Sequence, residues 1–378
     1  MPKDTVSVGA GAGFAGDRVH PAVDLAASDM VGAEIPRVCA RPHGWVRGAG
    51  RGSFERLSAW TERAEALSID GVFLGDRLMT EAVARDGSAV YGASMPEVTT
   101  ALAGLGARTE RILLGPLVLV FPYRHPLQLA KLVAGLDQIA SGRLVLGAGL
   151  GWNRREFAAL GIDRSARGAM FEASVEVVRA LWRGEAVTDE TPWWRLEEAA
   201  ISPLPERPDG PPIWLASFSP DSALAWDELP PLALRTLDRV GRLADGWVPL
   251  IYSASSRRRL DPKLIGRGWE IVQESAERAG RKPSDLEFVL SDWIYVLDGP
   301  ASERRCREAL ATFFAGDWDD ARRTYTIGTA EEVAESLLGI TSQVDRVGSY
   351  VLTPLDDHVD QLELVAGELA PLLRGAGR

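Results

Sequence analysis

Apolar and polar positions along this chain follow two periods. Short, nearly unbroken apolar runs begin near residues 35, 72, 112, 143, 213, 247, 287 and 347. Runs of this kind fit strands buried on both faces, as in a parallel sheet. Between them, apolar residues recur every three or four positions, the mark of helices with one buried face. The clearest unit is 111–151, RILLGPLVLVFPYRHPLQLAKLVAGLDQIASGRLVLGAGLG. Its Gly-punctuated runs, 112–120 and 143–150, flank a helix predicted over 126–139. Leu127, Leu129, Ala130, Leu132, Val133, Leu136 and Ile139 form its inward stripe. Pro126 suits a first helical turn, where its missing N–H costs nothing. Ser141-Gly142 then turns the chain back. This is a βαβ unit.

Further helices are predicted over 54–67, 97–107, 169–182, 269–279, 302–314, 331–338 and 359–373. Another covers 221–243, interrupted at Pro230-Pro231, and 188–198 reads as a β-hairpin carrying Trp193 and Trp194. Eight strands separated by helices predict a (β/α)8 TIM barrel with insertions rather than a doubly wound sheet. The insertions are 153–212, 221–243 and 298–330.

Composition narrows the partners. The chain has 378 residues, 46% hydrophobic and 25% charged, with a formal net charge of −11. That balance argues against nucleic acid or an anionic membrane as the main partner. Cys39 and Cys306 are the only cysteines, without a CxxC spacing. This usage fits a reduced compartment, and no disulfide framework or zinc site is expected. No apolar run reaches the roughly 18 residues of a membrane span. The first residues lack the apolar core of a signal peptide. A cytoplasmic protein is expected.

Candidate chemistry sits where a βα barrel places it, at the C-terminal strand ends. Asp76 follows the apolar run 71–74, where a carboxylate is costly without a partner. It either meets a ligand or caps a loop. Arg77 cannot act as a general base near neutral pH, but it can neutralise an anion. After the fourth strand, Gly149 and Gly151 let backbone approach a planar ring closely. Asn153 there bonds a ligand edge or caps the next helix. Ala216, Ser217, Phe218 and Ser219 follow the fifth strand and open a helix. They read as a phosphate cradle, or as an ordinary cap by Ser219 with Pro220 in the first turn. His43 and Trp45, after the first strand, are pocket candidates, and His125 reads as structural. Asp356, Asp357, His358 and Asp360 read as a solvated helix start, and no metal site is expected. GAGFAG at 11–16 matches GxGxxG, but no clear βαβ unit follows, so it reads as a Gly-rich extension.

The chain resembles the bacterial-luciferase-like family of flavin-dependent oxidoreductases. The resemblance rests on GVFLGDR at 71–77, the stretch 108–161, RGAMFEASVEVVRALWRGEAV at 167–187, PPIWLAS at 211–217, RLADGWVP at 242–249 and the tail 327–373. It covers roughly 35–373 in family order. It implies a (β/α)8 barrel with FMN, or alternatively the deazaflavin F420, at the C-terminal strand ends. It implies that Asp76 contacts the flavin and that Gly115, Pro116, Leu117 and Val118 back the ring, with a non-proline cis peptide at Leu117-Val118. It also places the flavin phosphate near 216–219. The family often has His after this Asp, a catalytic candidate in F420-using members. This chain has Arg77, which puts a carried-over proton-transfer role in doubt. Arg77 and His43 stand as catalytic candidates.

The implied activity is a monooxygenase using reduced FMN and O2 on a small organic substrate, supplied by a flavin reductase. An F420-dependent dehydrogenase or reductase, and a non-catalytic flavin-binding protein, are the alternatives. A nicotinamide dehydrogenase built on 9–16 is a third class. A homodimer is implied by the resemblance alone. Residues 1–34 lie outside the family pattern, and VGAGAGFAGDRVHPAVDLAAS resembles the start of acyclic terpene utilisation proteins. Residues 1–29 are expected to be a fused or misassigned leader ahead of Met30, with the barrel domain over 35–378.

Overall fold

The computed structural model describes residues 35–42, 53–79, 96–220, 229–253, 258–314 and 316–375. The extension 1–34, His43, Trp45 and most of the loop after Arg77 lie outside the described residues. The apolar runs form strands β1 (Arg37–Ala40), β2 (Gly71–Leu74), β3 (Leu113–Pro116), β4 (Leu119–Val120) and β5 (Leu146–Gly149). Strands β6 (Val187–Glu190) and β7 (Arg195–Ala199) make the expected hairpin. The rest are β8 (Ile213–Ala216), β9 (Gly246–Val248), β10 (Tyr252–Ser253), β11 (Arg258–Arg259), β12 (Glu287–Val296), β13 (Thr326–Gly328) and β14 (Ser349–Pro354). The helices are α1 (Ser53–Ala66), α2 (Val98–Gly106), α3 (Pro126–Ile139), α4 (Arg154–Ala159), α5 (Arg167–Trp182), α6 (Pro231–Leu243), α7 (Pro262–Arg278), α8 (Pro300–Leu310), α9 (Trp318–Thr324) and α10 (Ala330–Ile340). A last helical segment runs from Val359 to Gly375, with a π turn at Val365–Leu369.

The main sheet is parallel, in the order β3-β2-β1-β14-β12-β9-β8-β5-β4. A parallel bridge between Leu114 and Leu144 joins its ends. With β3 and β4 counted as one broken strand, eight positions close the (β/α)8 barrel. Alternation along each strand divides the core. Val38, Val72, Leu114 and Leu146 pack outward under the helices. Cys39, Phe73, Leu113, Val145, Trp214, Val248, Val289 and Val351 fill the interior. Phe73 and Trp214 stack there with ring centroids 5.2 Å apart. The barrel interior is therefore plugged by side chains, as is usual for this fold, whose ligands bind at the C-terminal strand ends.

Glycine explains how the closing strands approach. A Cβ on Gly115 would lie 2.0 Å from the Val145 carbonyl oxygen, and one on Gly147 would lie 2.3 Å from that of Pro116. Side chains at either position would push the strands apart.

Some elements differ from the sequence expectation. The run 112–120 breaks into β3 and β4, with Leu117 and Val118 between them and a cis peptide joining those two residues. The helix expected from 269 begins at Pro262, capped by Asp261, whose carboxylate accepts from the Lys263 N–H at 2.8 Å. Gly266 and Gly268 weaken the helical pattern there, but each is needed for close packing: their Cβ atoms would meet Gln343 and Trp247. The helix expected over 302–314 ends at Leu310, and α9 and β13 follow it.

Candidate active site

A buried ion pair holds the chain where it restarts after the break between β3 and β4. Arg124 donates from Nη1 and Nη2 to the two carboxylate oxygens of Asp76, at 2.6 and 3.2 Å. The Asp76 side chain is 2% exposed and also accepts from the Val120 N–H at 3.0 Å. A planar guanidinium meeting both oxygens gives a directional, charge-assisted contact. Burial tends to weaken the Arg124 charge, but the hydrogen bond and field of Asp76 outweigh it and raise its pKa. Of the two readings of Asp76, the structure displays the structural one: its carboxylate ties β2 to the restart of the chain at Val120.

Just before Val120 the chain forms an apolar shelf. Leu117 belongs to the interior cluster, and Val118 and Ala216 pack against it. Val118 Cγ2 occupies the space a Cβ on Gly149 would need, at 2.5 Å. Gly151 has a φ of 77°, in the left-handed region, and turns the chain out of the barrel. Arg41, one residue past β1, keeps the inward parity of Cys39. It donates from Nε to Thr353 Oγ1 at 3.1 Å and from Nη1 to the Leu117 carbonyl at 3.4 Å. Its Cζ lies 5.7 Å from the Trp293 ring centroid.

On the adjoining rim, Arg77 lies over Trp152, with Cζ 5.5 Å from the ring centroid. Glu156 on α4 fastens this loop. One of its oxygens accepts the N–H groups of Leu78 and Met79, at 3.1 and 3.0 Å, and the other accepts from the Tyr123 hydroxyl at 2.8 Å. Burial, then the hydrogen bond to Glu156, pushes the Tyr123 pKa up, so the phenol stays a donor. Asn153 caps α4, its oxygen accepting the Arg155 N–H at 3.0 Å.

The turn after β8 is only partly a cradle. Phe218 has a φ of 66° and its side chain is buried, 6.3 Å from the Trp247 ring. The Ser217 N–H is engaged by the Val248 carbonyl at 3.1 Å. The Ser217 hydroxyl, by contrast, is buried and finds no partner among the described residues. Nearby, Gly168 at the start of α5 sits close to Leu150, and Arg239 Nη2 is 3.0 Å from where its Cβ would be. Arg167 has a lowered pKa, first from burial and then from the charges of Arg164 and Arg239. Cations gathered beside a strand end make a favourable place for an anion.

The structure thus brings Asp76, Leu117, Val118, Gly149 and Gly151 together at one mouth, with Arg77 on its rim. Sequence reading missed Arg41, Arg124, Glu156 and the trio Arg164, Arg167 and Arg239. Strand parity, from Cys39 to Arg41, was the available signal for the first. Among the described residues no group of three His, Cys, Asp or Glu side chains is placed to hold a metal. No described helix is long and apolar enough to cross a membrane.

A plugged parallel barrel with its polar groups converging at the C-terminal strand ends defines the class, a βα-barrel enzyme scaffold. Within that class, the luciferase-like monooxygenase family model matches residues 37–319, and the chain belongs to that family. It is 30% identical over 179 residues to the phthiodiolone/phenolphthiodiolone dimycocerosates ketoreductase of Mycobacterium bovis (strain BCG / Pasteur 1173P2), covering 47% of this chain and 41% of that protein. It is 30% identical over 239 residues to the F420-dependent glucose-6-phosphate dehydrogenase of Beutenbergia cavernae, covering 62% of each. The chain therefore spans under two thirds of the length of either relative. A monooxygenase from Streptomyces bottropensis superposes with a TM-score of 0.69 at 23% identity, covering 89% of this chain and 99% of that one. At that identity the likeness is one of fold.

Proposed function

We propose that this chain is an oxidoreductase that seats a flavin-type ring on the shelf of Leu117, Val118 and Gly149. The observation that carries the reading is the shelf itself, an apolar strand break tied by Asp76–Arg124 at the C-terminal end of the barrel. Two features fit the rest of such a cofactor. The Ser217 hydroxyl, unpartnered among the described residues, and the cations Arg164 and Arg167 suit its phosphate, while Arg239 beside them is paired with Glu172 at 2.8 Å. When bound, the cofactor supplies the redox chemistry. The protein holds its ring, keeps water from its inner face with Leu117 and Val118, and neutralises charge with Arg77 and Arg41. Asp76 fixes the end of the shelf through Val120. His43 remains a candidate from the sequence.

Our first reading is monooxygenation with reduced FMN and O2, the FMN being supplied by a separate reductase to a cytoplasmic homodimer. F420-linked oxidation or reduction is the second reading. It is favoured by the activities of the two relatives at 30% identity, a ketoreductase and an F420-dependent dehydrogenase. Titrating the protein with FMN and with F420, followed by cofactor fluorescence, separates the two. Saturable binding of FMN, then O2 uptake with the reduced form, supports the first. Binding of F420 alone supports the second. Tight binding without turnover under either regime points to a flavin-binding protein, and binding of neither rejects the proposal.

A further inference from the structure

Outside the barrel, a cleft of about 510 Å³ opens between α3 and the link that follows β7. Its size falls in the range of small-ligand sites, about 300–1,000 Å³. One wall carries three hydrogen-bond donors. His125 caps α3, and Gln128 and Lys131 follow at three-residue steps on the same side of the helix. The His125 ring is fixed: its Nδ1 accepts the Leu127 N–H at 3.3 Å, and the Trp194 ring stands edge-on to it with centroids 6.3 Å apart. With Nδ1 an acceptor, the neutral imidazole carries its proton on Nε2 and donates from there. Lys131 reaches across the cleft, its Nζ donating to the Ser202 carbonyl on the far wall. An ammonium has three N–H groups, so this contact holds the charge in place and leaves donors for a ligand.

The rest of the lining is apolar in character and free of acid. Leu127 and Ile201 are half-buried against the core and line the cleft. None of the described residues around it is acidic, in a chain where Asp and Glu outnumber Lys and Arg by 53 to 42. Lys131 thus gives the cleft a net positive charge on an acidic molecule. We propose that this cleft is a second ligand site, separate from the barrel mouth, for a monoanion with an apolar body, of the medium-chain carboxylate class. The fixed ammonium matches its one negative charge, His125 and Gln128 supply neutral donors to its oxygens, and Leu127 and Ile201 take its hydrocarbon. A dianion brings a second charge for which the cleft has no cation, and an amine meets Lys131 with like charge.

The test uses the full chain and three probes of one chain length, octanoate, 1-octanol and octylamine, titrated by calorimetry. Octanoate is expected to bind saturably, and the other two at least about fivefold more weakly, the worth of one hydrogen-bonded contact. Lys131→Gln should weaken octanoate by about the same factor and leave 1-octanol unchanged, whereas Lys131→Arg should keep most of the affinity. Ile201→Asp places a carboxylate in the cleft and should abolish octanoate binding. Thermal unfolding of each variant checks the fold. Lys131 is exposed, so Lys131→Gln carries the test if Ile201→Asp is unstable. No saturable octanoate binding, equal octanoate affinity in the wild type and Lys131→Gln, or equal binding of octanoate and 1-octanol overturns the proposal. Displacement of octanoate by FMN or F420 also overturns it, because the two then share one site. None of these residues is assigned to the cofactor, so cofactor affinity should be the same in the wild type and Lys131→Gln. A drop there would put the cofactor in the cleft and reject the proposal as well.

Discussion

Two carboxylates at opposite ends of the barrel do similar jobs with different consequences. At the N-terminal end, Glu65 on α1 gathers the N–H groups of Glu110, Arg111 and Ile112, at 3.0, 2.7 and 2.9 Å, and fixes the entry to β3. At the mouth, Glu156 gathers those of Leu78 and Met79 and fixes the exit from β2. The first closes off a structural end, and the second holds the loop that carries Arg77. The same contrast runs through the charged groups. At the base, Arg37, Glu287 and Ser349 bond one another: Arg37 Nη2 and Ser349 Oγ both donate to Glu287 Oε1, each at 2.6 Å. Nearby, Arg143 is fully buried and donates to Thr109, Ile112 and Gly106. At the mouth, Arg41 and Arg77 lie on the faces of aromatic rings. The base ties its charges into buried networks, and at the mouth Arg41 and Arg77 lie against aromatic faces, in a fold whose bottom serves stability and whose top serves chemistry.

The sharpest attack on this contrast is at the base. Glu287→Ala leaves Arg37 buried without its carboxylate, and we expect a loss of about 3–5 kcal/mol in unfolding free energy, read by denaturant titration. Cofactor affinity of the fraction that remains folded should be unchanged. Arg124→Met comes next. It strips a buried Asp76 of its cation, and a loss of about 2–4 kcal/mol is expected. Here cofactor affinity should also fall, because the pair fixes the chain at Val120, where it restarts after the shelf. If stability falls and affinity does not, the shelf is not the ring site.

Glu156→Ala should cost less stability, about 1–2 kcal/mol for backbone groups that water can partly satisfy. Its main effect should be weaker cofactor binding, with faster proteolysis at the loop after Arg77 as a second readout. The smallest effect concerns pH. Burial raises the Glu65 pKa, but the backbone hydrogen bonds from Arg111, Ile112 and Glu110 outweigh it and hold the group below its ordinary 4.5. A carboxyl with a lowered folded-state pKa stabilises the fold above its unfolded value and loses that contribution as pH falls through the folded one. The stability gap between the wild type and Glu65→Gln should therefore be full above about pH 4.5 and shrink on further acidification. A gap that widens in acid would contradict the assignment.

The fold was legible where periodicity is strong. The helix at 126–139 appears with the same bounds, because a Pro at its start and a Ser-Gly turn at its end frame a continuous apolar stripe. Eight apolar runs became the eight barrel positions. Strand β13 escaped notice because it falls inside 298–330, read as an insertion, and α9 because its charged sequence, WDDARRT, has no apolar stripe. The site was legible as strand ends and illegible as partners. Asp76 is identifiable as a costly carboxylate, but its cation stands 48 positions away, and Arg41 meets Thr353 across 312. Such pairings follow from barrel closure, not from local pattern. Phe218 shows a local feature that pattern does not reveal. Its neighbours suggested a ligand cradle, whereas a left-handed backbone turns its ring into the core.

The central claim is that the ring of a flavin-type cofactor lies on the break between β3 and β4. A crystal structure of the chain soaked with FMN or F420 tests it directly. The account predicts the ring in van der Waals contact with Leu117, Val118 and Gly149, Arg41 at its border, and the phosphate near Ser217 and Arg167. A cofactor bound elsewhere, such as the outer cleft lined by His125, Lys131 and Ile201, would contradict it.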